Sequence, residues 1–154
     1  MSAYIDGLKL LGRRELSVSQ LRTRLLDRDH SAPDADEAIA RLLEHGALDD
    51  RRVARAYART ASKIKGRGRL RVSRELQAMG IAKDIIADAV ADVFSDVDER
   101  ALIARAIQKK LRGGKAPSTI QERTRLYQFL MRQGFTPAAV SAALRRGGAD
   151  RDAD

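Results

Sequence analysis

The apolar residues of this chain recur at spacings of three and four almost from end to end, and no stretch alternates with period two for long enough to make a strand. A chain patterned this way buries its apolar surface as amphipathic helices packed on one another. Aromatic residues make up only 4% of the sequence, while Ala, Leu, Arg and Glu abound, so intrinsic helix propensity agrees with the period. An all-α fold follows.

The helix ends are legible as well. Ser17 with Gln20 reads as a capping box, and Leu16 and Leu21 stand where a hydrophobic staple needs them. Gly46, Gly80 and Gly134 each close a periodic apolar run, and Thr136-Pro137 reads as an N-cap and first helical residue. Nine helices are predicted, at roughly 3–13, 18–29, 34–45, 50–65, 69–79, 83–94, 98–111, 119–133 and 137–146.

These nine helices group as three copies of a three-helix unit. Leu76, Gly80, Ile81, Ile86 and Val90 match Leu130, Gly134, Phe135, Val140 and Leu144 at a constant offset of 54. In the first copy Leu25 and His30 precede Leu76 and Ile81 by 51, while Ile39 and Leu43 precede Ile86 and Val90 by 47. An insertion of four residues around Ser31 to Asp34 accounts for the change. The expected organisation is an elongated array of tandem modules at 1–48, 49–94 and 95–147, with a flexible tail at 148–154. Where the second and third copies have Gly80 and Gly134, the first has Asp29, a residue that enters the left-handed region only at a cost.

Charge is distributed unevenly. Between Arg51 and Arg74 lie ten basic residues and no acidic one; the remaining sequence carries 20 basic and 21 acidic residues, so the net charge of +9 resides in this one segment. Arg52, Arg55, Arg59 and Lys63 share one face of the predicted helix, apart from Val53, Tyr57, Thr60, Ala61 and Ile64 on what is expected to be the core face. Lys65, Arg67, Arg69, Arg71 and Arg74 carry the charge through a glycine-containing turn into the next helix. Like charges with no acid among them point to a polyanionic partner. Arg105, Lys109 and Arg112 form a second, shorter basic row beside Leu102, Ala106 and Ile107.

Other motifs read as structural. Asp49 and Asp50 precede the basic helix and suit capping better than acid–base or metal chemistry. The run RGGKAPS at 112–118 has Ala116 where a phosphate loop needs Ser or Thr, and is a linker. His30 and His45 lie at helix ends without companions at metal-ligand spacing, and His30 aligns with apolar positions, so packing is its expected role. Tyr127, Phe129, Leu130 and Phe135 are expected in the core. With no cysteine, no disulfide or thiolate metal site can form. The beginning of the chain lacks a signal-peptide pattern, no segment is long and apolar enough to span a membrane, and a cytoplasmic protein with no catalytic residues, metal or cofactor is expected.

The stretch GALDDRRVARAYAR at 46–59 resembles the signature of the RecX family: a helix-ending glycine, an apolar residue, paired aspartates, then a helix rich in Arg and Ala. RGRLRVSRELQAMGI and RLYQFLMRQGFTPAAVSAAL resemble the family's second and closing modules, in the right order. The resemblance implies a non-enzymatic regulator, a monomer, that binds the RecA filament on single-stranded or duplex DNA. It implies restraint of filament assembly and of recombinase, ATPase and coprotease activities, within DNA repair, recombination and the SOS response. The basic helix on its own also fits a stand-alone, sequence-nonspecific DNA-binding protein.

Overall fold

A computed structural model of the chain describes residues 1–152, with side chains up to Arg146. The tail expected at 148–154 lies outside the described residues but for a helical backbone to Asp152. Among the described residues there are nine α-helices and no strand: α1 (Ala3–Arg13), α2 (Val18–Asp27), α3 (Ala32–Glu44), α4 (Asp50–Arg59), α5 (Arg69–Ala78), α6 (Lys83–Phe94), α7 (Glu99–Leu111), α8 (Ile120–Arg132) and α9 (Pro137–Asp152). A π-helical turn, Thr60–Ile64, continues α4.

The helices form two compact units, one of residues 1–57 with 75–89 and the other of 58–74 with 90–154. In the first unit α1, α2 and α3 pack on one another around Leu10, Leu16, Leu21, Leu25, Leu42 and Leu48. In the second, α7, α8 and α9 surround Ile103, Leu126, Leu130, Phe135 and Val140. Leu43, matched to Val90 by the repeat, is 45% exposed; its neighbour Leu42 takes the core position. The inserted residues form an added first turn of α3, which Ser31 caps through the Asp34 amide.

The capping box at Ser17 and Gln20 forms as expected, and Thr136 Oγ1 accepts from the Ala139 amide at the start of α9. Ser17 is fully buried because its hydroxyl also donates to the Met79 carbonyl, 2.6 Å away, at the end of α5. Gly80 follows with φ +78, and a Cβ there would overlap the Ser19 side chain. The second unit repeats this contact one module on. The Gly68 and Leu70 amides, at the start of α5, donate to the Gln133 and Gly134 carbonyls at 2.8 and 2.9 Å, and a Cβ on Gly134 (φ +98) would overlap Arg71. In both places the start of one helix sits directly on the glycine that ends another.

Asp29 occupies the same position at the end of α2, with φ +69, and the His30 amide donates to the Leu25 carbonyl as the amides after Gly80 and Gly134 do to theirs. Asp29 is exposed, so its Cβ meets no helix start. The steric reason for glycine is absent there, and only the dihedral cost remains. Beneath it, Asp6 is buried and accepts from Arg28 at 2.6 Å and pairs with His30 at 2.9 Å. His30, expected to pack as an apolar residue would, is thus a polar partner of Asp6. Burial pushes the Asp6 carboxyl up, but hydrogen bonding to His30 and the Arg28 charge outweigh it and leave the group below its ordinary value.

The structure corrects one face of the basic helix. Val53 and Ala61 are buried and Tyr57 half-buried, but Thr60 is exposed and Ile64 is 76% exposed. The π-helical turn, in which the Lys65 amide reaches back to the Thr60 carbonyl, adds a residue to the turn and rotates Ile64 off the core face. Ala54, Ala58 and Ser62 are buried instead, Ser62 by donating to the Ala58 carbonyl.

Two stability measurements test these assignments. Asp29→Gly should raise the urea unfolding midpoint, worth about 0.5–1 kcal/mol, whereas Gly134→Ala should lower stability by at least about 2 kcal/mol, since it adds both overlap and dihedral strain. Asp6→Asn should cost about 1–3 kcal/mol at neutral pH. Because the folded-state pKa is depressed, that contribution is present above the unfolded value near 3.9 and fades as pH falls through the folded one, so the gap between the two proteins should begin to close only as pH falls below about 4.

Candidate nucleic-acid interface

The basic segment divides by what its members touch. Asp49 Oδ1 accepts from the Arg51 and Arg52 amides and caps α4, while Asp50 Oδ1 accepts from the Val18 amide, 2.9 Å away, at the start of α2. The paired aspartates therefore cap two different helices. Arg51 reaches Asp88 at 3.2 Å and Asp84 at 3.9 Å on α6. Arg52 pairs with Glu15 at 3.3 Å and donates to the Gly46 and Ala47 carbonyls beyond the end of α3. The sequence run lacks acids, but tertiary packing supplies them.

Arg55, Arg67 and Arg71 also have interaction partners within the fold. Arg59, Lys63, Lys65, Arg69 and Arg74 are exposed, and the Arg69 guanidinium lies 5.7 Å from the centroid of the Phe94 ring. Within the second unit, the π-helical turn brings Lys63 and Lys65 beside Arg105 and Lys109 of α7. The four line a cleft of about 100 Å³, together with Ile64, Gly66, Leu102, Ala106, Phe129 and Gln133. Two basic stretches separated by some forty residues in sequence thus meet at one place. Among the described residues, none of these four cations has a carboxylate partner, and no carboxylate lines the cleft. Arg112, the third member of the second row, is not among the lining residues; it ends α7 with φ +48.

Leu130 and Phe135 are fully buried; Tyr127 and Phe129, both half-buried, pack against their core, and Phe129 also contributes to the cleft wall. The Lys110 ammonium lies 5.0 Å from the Phe129 ring centroid. Sequence periodicity cannot separate Phe129 from Leu130, because adjacent helical residues both fall near the apolar stripe.

The cations of the cleft, the Gln133 amide and its apolar residues suit an anion carrying an apolar group, and no His, Asp or Glu is among its lining residues. No group of three or more His, Asp or Glu that could hold a metal ion occurs among the described residues, and no helix there is long and apolar enough to cross a membrane.

Comparison with known proteins agrees with this organisation. The RecX family's first three-helix domain matches residues 3–42, its second 49–90 and its third 98–144. The chain belongs to the RecX family. Its RecX relatives include the regulatory protein RecX of Pelodictyon phaeoclathratiforme, 35% identical over 97% of this chain and 93% of that one. The regulatory protein RecX of Halorhodospira halophila is 34% identical over 95% and 87%. A crystal structure of RecX from Lactobacillus salivarius shares the fold, with a TM-score of 0.81, 19% identity and coverage of 94% of this chain and 93% of that one. A second RecX crystal structure superimposes with the same TM-score at 20% identity, over 93% of this chain and 70% of that one. The three-module, all-α reading of the sequence and the RecX resemblance are thereby established.

The division between committed and available cations can be measured. Arg52→Ala should lower the unfolding free energy by about 1 kcal/mol, because two carbonyls and Glu15 lose their partner at a half-exposed site. Lys63→Ala should stay within about 0.5 kcal/mol of the parent. Urea titrations of the two variants compare them directly.

Proposed function

We propose that this chain binds the RecA filament on DNA and restrains its assembly and activities, acting by binding and not by turnover, in the cytoplasm. Membership of a family whose relatives are named regulatory proteins supports a regulatory role. The observation that carries the nucleic-acid part is the meeting of Lys63, Lys65, Arg105 and Lys109 at one cleft, without carboxylate partners among the described residues. Exposed like charges lining one cleft attract an anion. In this reading phosphates of filament-bound DNA supply that anion, and RecA, implied by the RecX resemblance, is the protein on which the DNA is carried.

Arg59, Arg69 and Arg74 are exposed on the same segment and add to its positive charge outside the cleft. Arg51 and Arg52 are set apart by their ion pairs and serve the fold. Arg55 has a partner within the fold too, so reversal of Arg59, Lys63 and Lys65 tests the surface more cleanly than reversal of Arg55.

The experiment is RecA filament assembly and DNA-dependent ATP hydrolysis on single-stranded DNA, over a salt series, with the parent chain and Arg59→Glu/Lys63→Glu/Lys65→Glu. The parent should inhibit, and if its surface meets about four phosphates, log affinity should fall with log salt at a slope of about −3 to −4. The reversed variant should stay folded, lose inhibition and show a flatter slope. A folded variant that inhibits like the parent would refute the assignment of this surface. Binding to DNA with no effect on RecA would favour a stand-alone DNA-binding protein.

A further inference from the structure

The cleft of the second unit has a composition that a surface meant only for backbone charge does not need. Lys63, Lys65, Arg105 and Lys109 surround it, but Leu102, Ala106 and Phe129 also line it. An inorganic anion is polar on every side and would leave that apolar lining unused. A duplex presents phosphates on a broad cylinder with its base faces stacked inside, so it too could use the cations but not the ring. A single strand offers both groups at once, a phosphodiester and the unstacked face of the adjoining base.

The Phe129 ring can receive such a base. It is half-buried, packs in part against the core of α7, α8 and α9, and contributes to the cleft wall; the Lys110 ammonium, 5.0 Å from its centroid, does not line the cleft. A cation at an exposed aromatic face is held weakly, and base stacking on an aromatic side chain is the stronger contact. The cleft, about 100 Å³, has room for a phosphate group. Gln133, on the same wall, offers an amide that can donate to a phosphate oxygen or to a base edge.

From this we infer that the cleft is a single-strand-selective nucleotide seat, in which Lys63, Lys65, Arg105 and Lys109 hold one phosphodiester and Phe129 stacks the adjoining base. It deepens the nucleic-acid contact proposed above and rests on that reading. Strand selectivity then comes from the ring, and strength and salt dependence come from the cations.

The test uses the full chain without RecA and follows fluorescence anisotropy of a labelled oligothymidine and of a duplex of equal length. Phe129→Leu keeps apolar packing and removes the stacking face; it should weaken oligothymidine binding by about 5-fold to 100-fold, with duplex binding unchanged within about twofold. Lys63→Gln/Lys109→Gln should weaken both and reduce the single-strand salt slope by at most about 0.7, the share of the one phosphate held in the cleft. An oligonucleotide carrying 5-iodouracil, irradiated on the parent chain and mapped by mass spectrometry, should crosslink at Phe129 or another cleft residue, and this readout stands even if Phe129→Leu fails to fold. Equal effects of Phe129→Leu on both DNAs, no effect of it on either, crosslinks confined to other regions, or displacement of oligothymidine by millimolar inorganic phosphate would overturn the seat. RecA inhibition by the parent, with its loss in the Arg59→Glu/Lys63→Glu/Lys65→Glu variant, would then leave the regulatory reading standing. Selective oligothymidine binding with no effect on RecA would sustain the seat and refute the regulatory reading.

Discussion

The fold depends on a repeated junction in which the start of one helix rests on the left-handed residue that ends another. The helix start has amides without partners and the helix end has carbonyls without partners, so bringing them together satisfies both. At Gly68 and Leu70 the amides donate directly to the Gln133 and Gly134 carbonyls, and at Ser17 a hydroxyl takes the place of an amide toward the Met79 carbonyl. The approach is so close that no Cβ fits at Gly80 or Gly134. Asp29, which meets no helix start, keeps the left-handed backbone with a side chain. One geometry therefore explains both the glycines and the departure from them.

The same packing sorts the basic residues. Where α4 begins, Arg51 and Arg52 are drawn to carboxylates and carbonyls of neighbouring elements, and Asp49 and Asp50 are used as caps. At the other end the π-helical turn alters the helical phase, so Ile64 leaves the core side and Lys63 and Lys65 come to a cleft with Arg105 and Lys109. A segment uniform in charge thus has a structural part and an available part.

Periodicity, caps and the offset of 54 made the nine helices and their three tandem modules legible, because each rests on local rules: apolar spacing, a hydroxyl or carboxylate before a helix, a glycine after one. Ser17 with Gln20 and Thr136 with Pro137 behave in the structure as their spacing requires. The RecX signature was equally open to reading, since it is a property of residue order. By contrast, the choice of Leu42 over Leu43 for the core, the burial of Asp6 between Arg28 and His30, and the phase change at Thr60–Ile64 depend on which face of each helix its neighbours cover. The convergence of two distant basic rows and the presence of Phe129 beside them belong to the same class. Sequence alone determined the helices, their ends and their family, for those follow from residues within a few positions of one another; tertiary structure decided which charges are paired within the fold and which remain available to a ligand, because a charge's partner is set by distance in space and not along the chain.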